Sequence, residues 1–290
     1  MNIDGNTKKI GLIGHPVEHT FSPVMHNAAF KKLDMNYIYL AFDIEPEKLS
    51  TSLGAMVALG FEGLNVTVPH KETIIPYLHG LAKEAILIGA VNTVHIVNGK
   101  CIGHNTDAYG FGNAVRRAFS SELKGKSVVV IGAGGGARAV VARCAIEEAS
   151  NIVVADIVHK KAEKLSEEII KYLPDTKIHV VDINDDAFGK IVKHSDFVIN
   201  ATPIGLKESD PLPVDPSFLR EGQMVFDLIY NPVKTKFMVK AEKCGCMVSN
   251  GLMMLLYQGM KSFEIWTGIV PPENVMRDAL IAKISASDKE

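Results

Sequence analysis

The chain has 290 residues, a length that suits two domains, and its 47% hydrophobic and 22% charged content is the balance of a water-soluble globular protein. A formal net charge of −2 at pH 7 gives no electrostatic reason to expect nucleic acid or an anionic membrane as partner. The opening Met1–Lys9 lacks the apolar core of a signal peptide, no run reaches transmembrane length, and Cys101, Cys144, Cys244 and Cys246 fit neither a disulfide framework nor a zinc pattern, so a reduced, cytoplasmic protein is expected.

In chain order, Ile10–Gly14 reads as a short apolar strand. Pro23 opens a helix on which Val24, Ala28, Ala29 and Leu33 recur at helical spacing. Tyr37–Phe42 is a strand, Pro46–Leu59 a helix entered through its proline, and Gly63–Val68 a strand stopped by Pro69. Lys83–Ile88 is helical, and Val91–Val97 is a strand that turns at Asn98-Gly99. This alternation predicts a mostly parallel α/β sheet.

The middle of the chain carries its most specific signal. Val128–Ile131 is a buried strand, Gly132, Gly134 and Ala137 fit G-x-G-x-x-G/A, Ala137–Ala149 is a helix, and Ile152–Ala155 is a second strand ending at Asp156. Strand, glycine turn, helix, strand and acid together are the context that a dinucleotide fingerprint needs. A helix over Lys160–Lys171 follows, with strands at Ile178–Asp182, Asp196–Asn200, Met224–Leu228 and Cys246–Ser249, and a surface loop over Leu206–Pro216. Helices over Gly251–Trp266 and Glu273–Ile284 close the chain.

Three polar clusters lie outside the fingerprint. In Gly14–Asn27, the Thr20 and Ser22 hydroxyls precede a helix, where they can cap it or bind a carboxylate. His15, His19 and His26 in the same stretch lack the partners of a recognisable metal spacing, and no metal is expected. In Asn65–Lys71, Asn65 and Thr67 alternate with Val66 and Val68, and Pro69 delivers Lys71 to the strand's C-terminal edge. There Lys71 is either a solvated charge or part of a site. Gly89–Thr93 and Gly103–Asp107 supply Asn92 and Asp107, the latter also readable as the N-cap of a helix from Ala108. Beside a nicotinamide site these clusters gain a common meaning. Hydride can leave an alcohol carbon only as the hydroxyl proton leaves, so a base is required, and Lys71 with Asp107 can provide one. Thr20, Ser22, Thr67 and Asn92 can hold a polyhydroxylated acid.

These stretches, with Asn200–Gly205, Asp227–Thr235 and Asn250–Gln258, resemble the shikimate dehydrogenase family, and more closely its quinate/shikimate dehydrogenase branch. The motifs run in family order from end to end. The resemblance implies a two-domain α/β protein: a substrate domain from residues 1–107, completed by the helices of 252–290, and a Rossmann dinucleotide domain over 108–251. It implies reversible oxidation of the ring 3-hydroxyl of shikimate or quinate in the shikimate pathway, with Lys71 as general base and Asp107 its partner. Thr20, Ser22, Tyr39, Thr67, Asn92, Tyr230 and Gln258 match substrate positions. Gly132, Ala133, Gly134, Gly135, Gly136, Ala137, Asp156, Thr202, Pro203, Leu228, Tyr230 and Gly251 match cofactor positions. A monomer or homodimer is implied.

Two departures matter. Thr20 stands where many members carry serine, which adds a methyl near the substrate carboxylate. Ala155-Asp-Ile-Val158 stands where NADP-specific members resemble Asn-Arg-Thr. With no arginine there and Asp156 opposed to a 2′-phosphate, NAD is the expected cofactor rather than NADP; Arg138 is the residue that most weakens this expectation. The alternatives are a methylenetetrahydrofolate dehydrogenase relative, against which the Thr20/Ser22 pair and Asn105-Thr-Asp107 argue, and a non-catalytic sensor of a polyol acid with its dinucleotide.

Overall fold

The computed structural model describes residues 3–287. They form two compact units, one running to Thr106 and resuming at Gln258, the other spanning Asp107–Tyr257.

The first unit runs β1 (Lys8–Gly14), α1 (Ser22–Lys32), β2 (Tyr37–Asp43), α2 (Leu49–Ala58), β3 (Phe61–Val66), α3 (His70–Thr73), β4 (Gly80–Leu81), α4 (Lys83–Ile88), β5 (Thr93–Val97) and β6 (Lys100–His104). Its six-stranded sheet has the order β2-β1-β3-β5-β6-β4. β1 lies parallel to both β2 and β3, and α1 and α2 serve as the crossovers that parallel neighbours require. The sheet is mostly parallel, as expected, with β5 alone antiparallel, to both β3 and β6. The reason is local. Asn98 and Gly99 both hold positive φ, 51° and 74°, as a two-residue hairpin turn demands, so the chain folds straight back into β6. Under the sheet Ile13, Leu53, Met56, Leu64, Val66 and Val94 form the apolar core.

The second unit runs α5 (Asp107–Phe119), β7 (Ser127–Ile131), α6 (Gly135–Ile146), β8 (Asn151–Ala155), α7 (His159–Ile170), β9 (Ile178–Val181), α8 (Phe188–His194), β10 (Phe197–Asn200), β11 (Met224–Asp227), α9 (Lys236–Lys243) and β12 (Met247–Ser249). The strands are all parallel, in the order β12-β11-β10-β7-β8-β9. This is the doubly wound dinucleotide-binding order, and it reverses direction between β7 and β10, where the glycine turn emerges. The periodicity of the sequence does not predict α8 and α9. α9 nevertheless has a local start signal: the Thr235 hydroxyl accepts the Met238 N–H at 3.2 Å.

α10 (Leu252–Thr267) begins in the second unit and, from Gln258, belongs to the first; α11 (Glu273–Ser287) packs on α1. Trp266 of α10 lies against Gly63, where an added Cβ would come within 2.2 Å of the indole, and its Nε1 donates to the Val94 carbonyl at 3.0 Å. That glycine lets α10 press onto the first sheet. No helix among the described residues is long and apolar enough to cross a membrane.

Candidate active site

In the first unit the polar clusters converge. Thr20 Oγ1 accepts the Ser22 N–H at 3.3 Å, so this hydroxyl helps to shape the entry into α1. Ser22 is buried and lies near the phenol of Tyr39. Tyr39, on β2, is 0% exposed and donates its hydroxyl to Asn65 Oδ1 at 2.7 Å. Burial pushes the phenol pKa far up, against a smaller opposing effect of nearby Ser22, so the hydroxyl keeps its proton. Its ring stacks on His26 at 4.5 Å, and burial pulls the His26 imidazole down to about 3.

The bond from Tyr39 fixes the Asn65 amide. Its oxygen faces the phenol, and its Nδ2 donates toward the Asn92 carbonyl at 3.0 Å, with Thr93 Oγ1 and Ser262 Oγ each at 3.2 Å. Asn92 is held at both ends. Its Oδ1 accepts from the Thr106 N–H at 2.8 Å and from Thr93 Oγ1 at 3.0 Å, while its Nδ2 reaches Thr106 Oγ1 at 2.9 Å and Gln258 Oε1 at 3.2 Å. Tyr39, Asn92 and Gln258 therefore share one buried hydrogen-bonded chain, with Ser22 near its Tyr39 end. Asn65, Thr93, Thr106 and Ser262 are its connecting members. None of these four is among the site residues that the sequence suggests, although a buried polar residue inside an apolar strand, and a serine four residues after Gln258 on one helix face, are visible signals.

Lys71 lies on α3, a turn of helix after β3 that the sequence does not predict. The turn is anchored by the Lys71 carbonyl, which accepts the Val91 N–H at 2.7 Å, and by His70 Nε2, which donates to the Ile44 carbonyl at 2.7 Å. Lys71 is half-buried, as is Thr67. His15 pairs with Asp43 at 2.8 Å, whereas His26 is enclosed among aromatic rings.

In the second unit, Asp107 is buried and is itself the first residue of α5. Gly132 holds φ +107°, and a Cβ there would meet the Ala201 carbonyl at 2.9 Å. Gly134 differs: an added Cβ would meet nothing within 4 Å. It precedes α6, whose N-terminus has no side-chain cap and no acid in its first turn. Backbone N–H groups around an open glycine face suit a pyrophosphate, so Gly132–Ala137 fit a dinucleotide. Gly136 lies beside Leu228, where an added Cβ would be 3.1 Å from the side chain. At Gly251 a Cβ would fall 2.0 Å from the Leu228 carbonyl, which excludes any side chain there.

Thr202 donates to Asn200 Oδ1 at 2.7 Å and accepts the Ile204 N–H at 3.1 Å, which shapes the turn that carries Pro203. Asn200 in turn donates to Asp227 at 3.0 Å, and Asp227 also accepts from Thr235 at 2.7 Å and from the Ile229 N–H at 3.1 Å. Burial pushes the Asp227 carboxyl up to about 6, although these bonds oppose the rise. Tyr230, three residues on, is half-buried. Asp156 is committed to backbone donors: one oxygen accepts the Ala133 N–H at 2.8 Å and the other the Val158 N–H at 2.7 Å. Arg138 is buried and ion-paired with Glu168 at 2.5 Å.

Comparison with known proteins matches this arrangement. Residues 12–94 match the shikimate dehydrogenase substrate binding domain, 251–281 the shikimate 5′-dehydrogenase C-terminal domain, and 128–209 the saccharopine dehydrogenase NADP binding domain. A shikimate dehydrogenase (NADP(+)) of Methanocaldococcus jannaschii is 46% identical over 294 residues, 98% of this chain and 99% of its own. One from Methanopyrus kandleri is 43% identical over 283 residues, 97% of each chain. The crystal structure of a shikimate dehydrogenase in complex with NADP+ superposes with a TM-score of 0.90 at 45% identity, covering 98% of each chain.

The cofactor expectation is corrected by these relatives: they are NADP(+) enzymes, and the preference for NAD inferred from Asp156 does not stand. The physical weakness of that inference lies in the backbone bonds of Asp156. Both Asp156 oxygens already accept a backbone N–H, which reduces the capacity left for a ribose, and His159, Lys160 and Lys161 follow it with no acid in the first turn of α7. Matched along nearly its whole length at more than two-fifths identity, the chain belongs to the shikimate dehydrogenase family and is an NAD(P)-dependent shikimate/quinate dehydrogenase.

Proposed function

We propose that the chain oxidises the 3-hydroxyl of shikimate reversibly, with NADP+ as its cofactor. The observation that carries this reading is the buried chain linking Tyr39, Asn65, Asn92 and Gln258, with buried Ser22 near its Tyr39 end, which holds hydroxyl and amide groups in fixed orientations suited to a polyhydroxylated acid. Ser22, with Thr20, binds the substrate carboxylate; Thr67, Asn92 and Gln258 bind ring hydroxyls. Lys71 takes the 3-hydroxyl proton, and Asp107 orients the amine and shares that proton. Bound NADP+ accepts the hydride. Gly132–Ala137 hold the pyrophosphate, Thr202, Pro203, Leu228 and Gly251 line the nicotinamide side, and Tyr230 lies near both ligands. The 2′-phosphate is balanced by the cations that open α7 rather than by an arginine after β8. Residues 1–107 with 252–290 act as the substrate domain and 108–251 as the dinucleotide domain. The protein works in the cytoplasm as a monomer or homodimer, with no nucleic-acid partner.

The test is initial velocity at the reduced-nicotinamide absorbance band, with shikimate and quinate each paired with NADP+ and NAD+. A kcat/KM for NADP+ about tenfold above that for NAD+, roughly 1.4 kcal/mol of discrimination, is the expected result. Equal or better use of NAD+ would reject the cofactor assignment, and turnover of neither acid would reject the reaction.

A further inference from the structure

Ser262 is 0% exposed on α10, one helical turn beyond Gln258. Its hydroxyl donates to the Gln258 carbonyl at 3.0 Å. Its oxygen accepts from Asn65 Nδ2 at 3.2 Å and lies within hydrogen-bond distance of Thr93 Oγ1 at 2.7 Å and Thr106 Oγ1 at 3.1 Å, pairs in which either hydroxyl can donate. A single side chain of α10 thus touches β3, β5 and the segment after β6. Thr93 and Thr106 are the residues that grip Asn92 Oδ1, and Asn65 is the partner of Tyr39.

We infer that Ser262 is a positioning residue for the substrate. It sets the hydroxyl rotors of Thr93 and Thr106 and, through them, the orientation of the Asn92 and Gln258 amides, while its bond to Asn65 keeps the Tyr39 end in register. Within this chain Ser262 joins α10 to all three strand-side partners, so removing its oxygen loosens both ends together. Asn65 keeps the Asn92 carbonyl and Thr93 keeps Asn92 Oδ1, so the fold retains partners for these groups.

The inference rests on the substrate assignment above, and the experiment separates the two. Ser262→Ala, the near-isosteric Ser262→Cys and Ser262→Thr, which keeps the hydroxyl, are compared with Asn92→Ala for shikimate KM, cofactor KM, kcat and melting temperature. The expected result is a shikimate KM raised about five- to thirtyfold in the Ala and Cys variants, an unchanged cofactor KM, and recovery in the Thr variant; one misplaced hydrogen bond of about 1–2 kcal/mol has that size. A folded Cys variant whose shikimate KM stays within twofold of the parent overturns the inference. So does a loss shared equally by both KM values along with the melting temperature, which marks a merely structural role. An unchanged shikimate KM in Asn92→Ala instead overturns the substrate assignment itself.

Discussion

At the scale of single residues, the chemistry proposed for this chain is a proton transfer coupled to hydride loss, and Lys71 and Asp107 are the residues proposed to handle the proton. Lys71 stands on a helical turn whose backbone is fastened to Val91, so its side chain starts from a fixed point. Asp107 is a buried carboxylate at the head of α5. A positioned general base contributes about 10²–10⁴-fold, so Lys71→Ala should lower kcat by that order and leave cofactor binding intact, because no part of the glycine turn changes. Asp107→Asn should also cost activity. The double variant should lose less than the product of the two single losses, since groups that serve one step are not additive. Turnover of the two singles and the double, with cofactor affinity by calorimetry, measures this. A Lys71→Ala protein that folds, binds cofactor and keeps near-normal kcat would remove Lys71 from the role of base.

At the scale of elements, the β7–α6 turn separates two duties that glycines perform. Gly132 is needed for its backbone: φ is +107° and an added Cβ would press on the Ala201 carbonyl. Gly134 needs no unusual φ, and a Cβ there meets open space. The two alanine substitutions should therefore differ in kind. Gly132→Ala should lower the melting temperature, by at least the roughly 1–2 kcal/mol of a left-handed non-glycine residue, and weaken cofactor binding with it. Gly134→Ala should keep the melting temperature and still weaken cofactor binding, because its methyl projects into the pyrophosphate cradle. Thermal unfolding and cofactor titration of both variants decide the matter; equal melting losses would contradict it. The Asn98-Gly99 hairpin makes a parallel point at this scale. Two residues with positive φ convert an alternating βα pattern into a mixed sheet, and so bring Asn92 and Thr106 into one network.

At the scale of the whole molecule, Asp227 gives stability a pH dependence. Its carboxyl is raised by burial from 3.8 in the unfolded chain to about 6, so the fold prefers the protonated form. The corresponding stabilisation is fully present below about pH 3.8 and is lost as pH rises through about 6. A tenfold change in proton affinity is worth about 1.4 kcal/mol, which makes the contribution about 3 kcal/mol at most. Asp227→Asn, which cannot ionise, should flatten the change in unfolding free energy between about pH 4 and pH 6 relative to the parent. Denaturant titrations at stepped pH test this, and an unaltered slope in the variant would place the dependence elsewhere.

The parts of this protein that are local in the chain are legible in its sequence alone. The G-x-G-x-x-A turn, its flanking strands and Asp156 follow from spacing, because a strand, a tight turn and a helix N-terminus are specified by adjacent residues. The family follows from short motifs for the same reason. What needed tertiary structure was whatever depends on partners far apart in sequence. The hydrogen bonds of Ser262 to Asn65, Thr93 and Thr106 join residues that no periodicity relates. Asp156 is recognisable as an acid after a strand, but the N–H groups of Ala133 and Val158 that its oxygens accept are not, and its charge alone misleads about the cofactor. Charge is a property of a residue, whereas its availability to a ligand is decided by the donors that the fold has already placed around it.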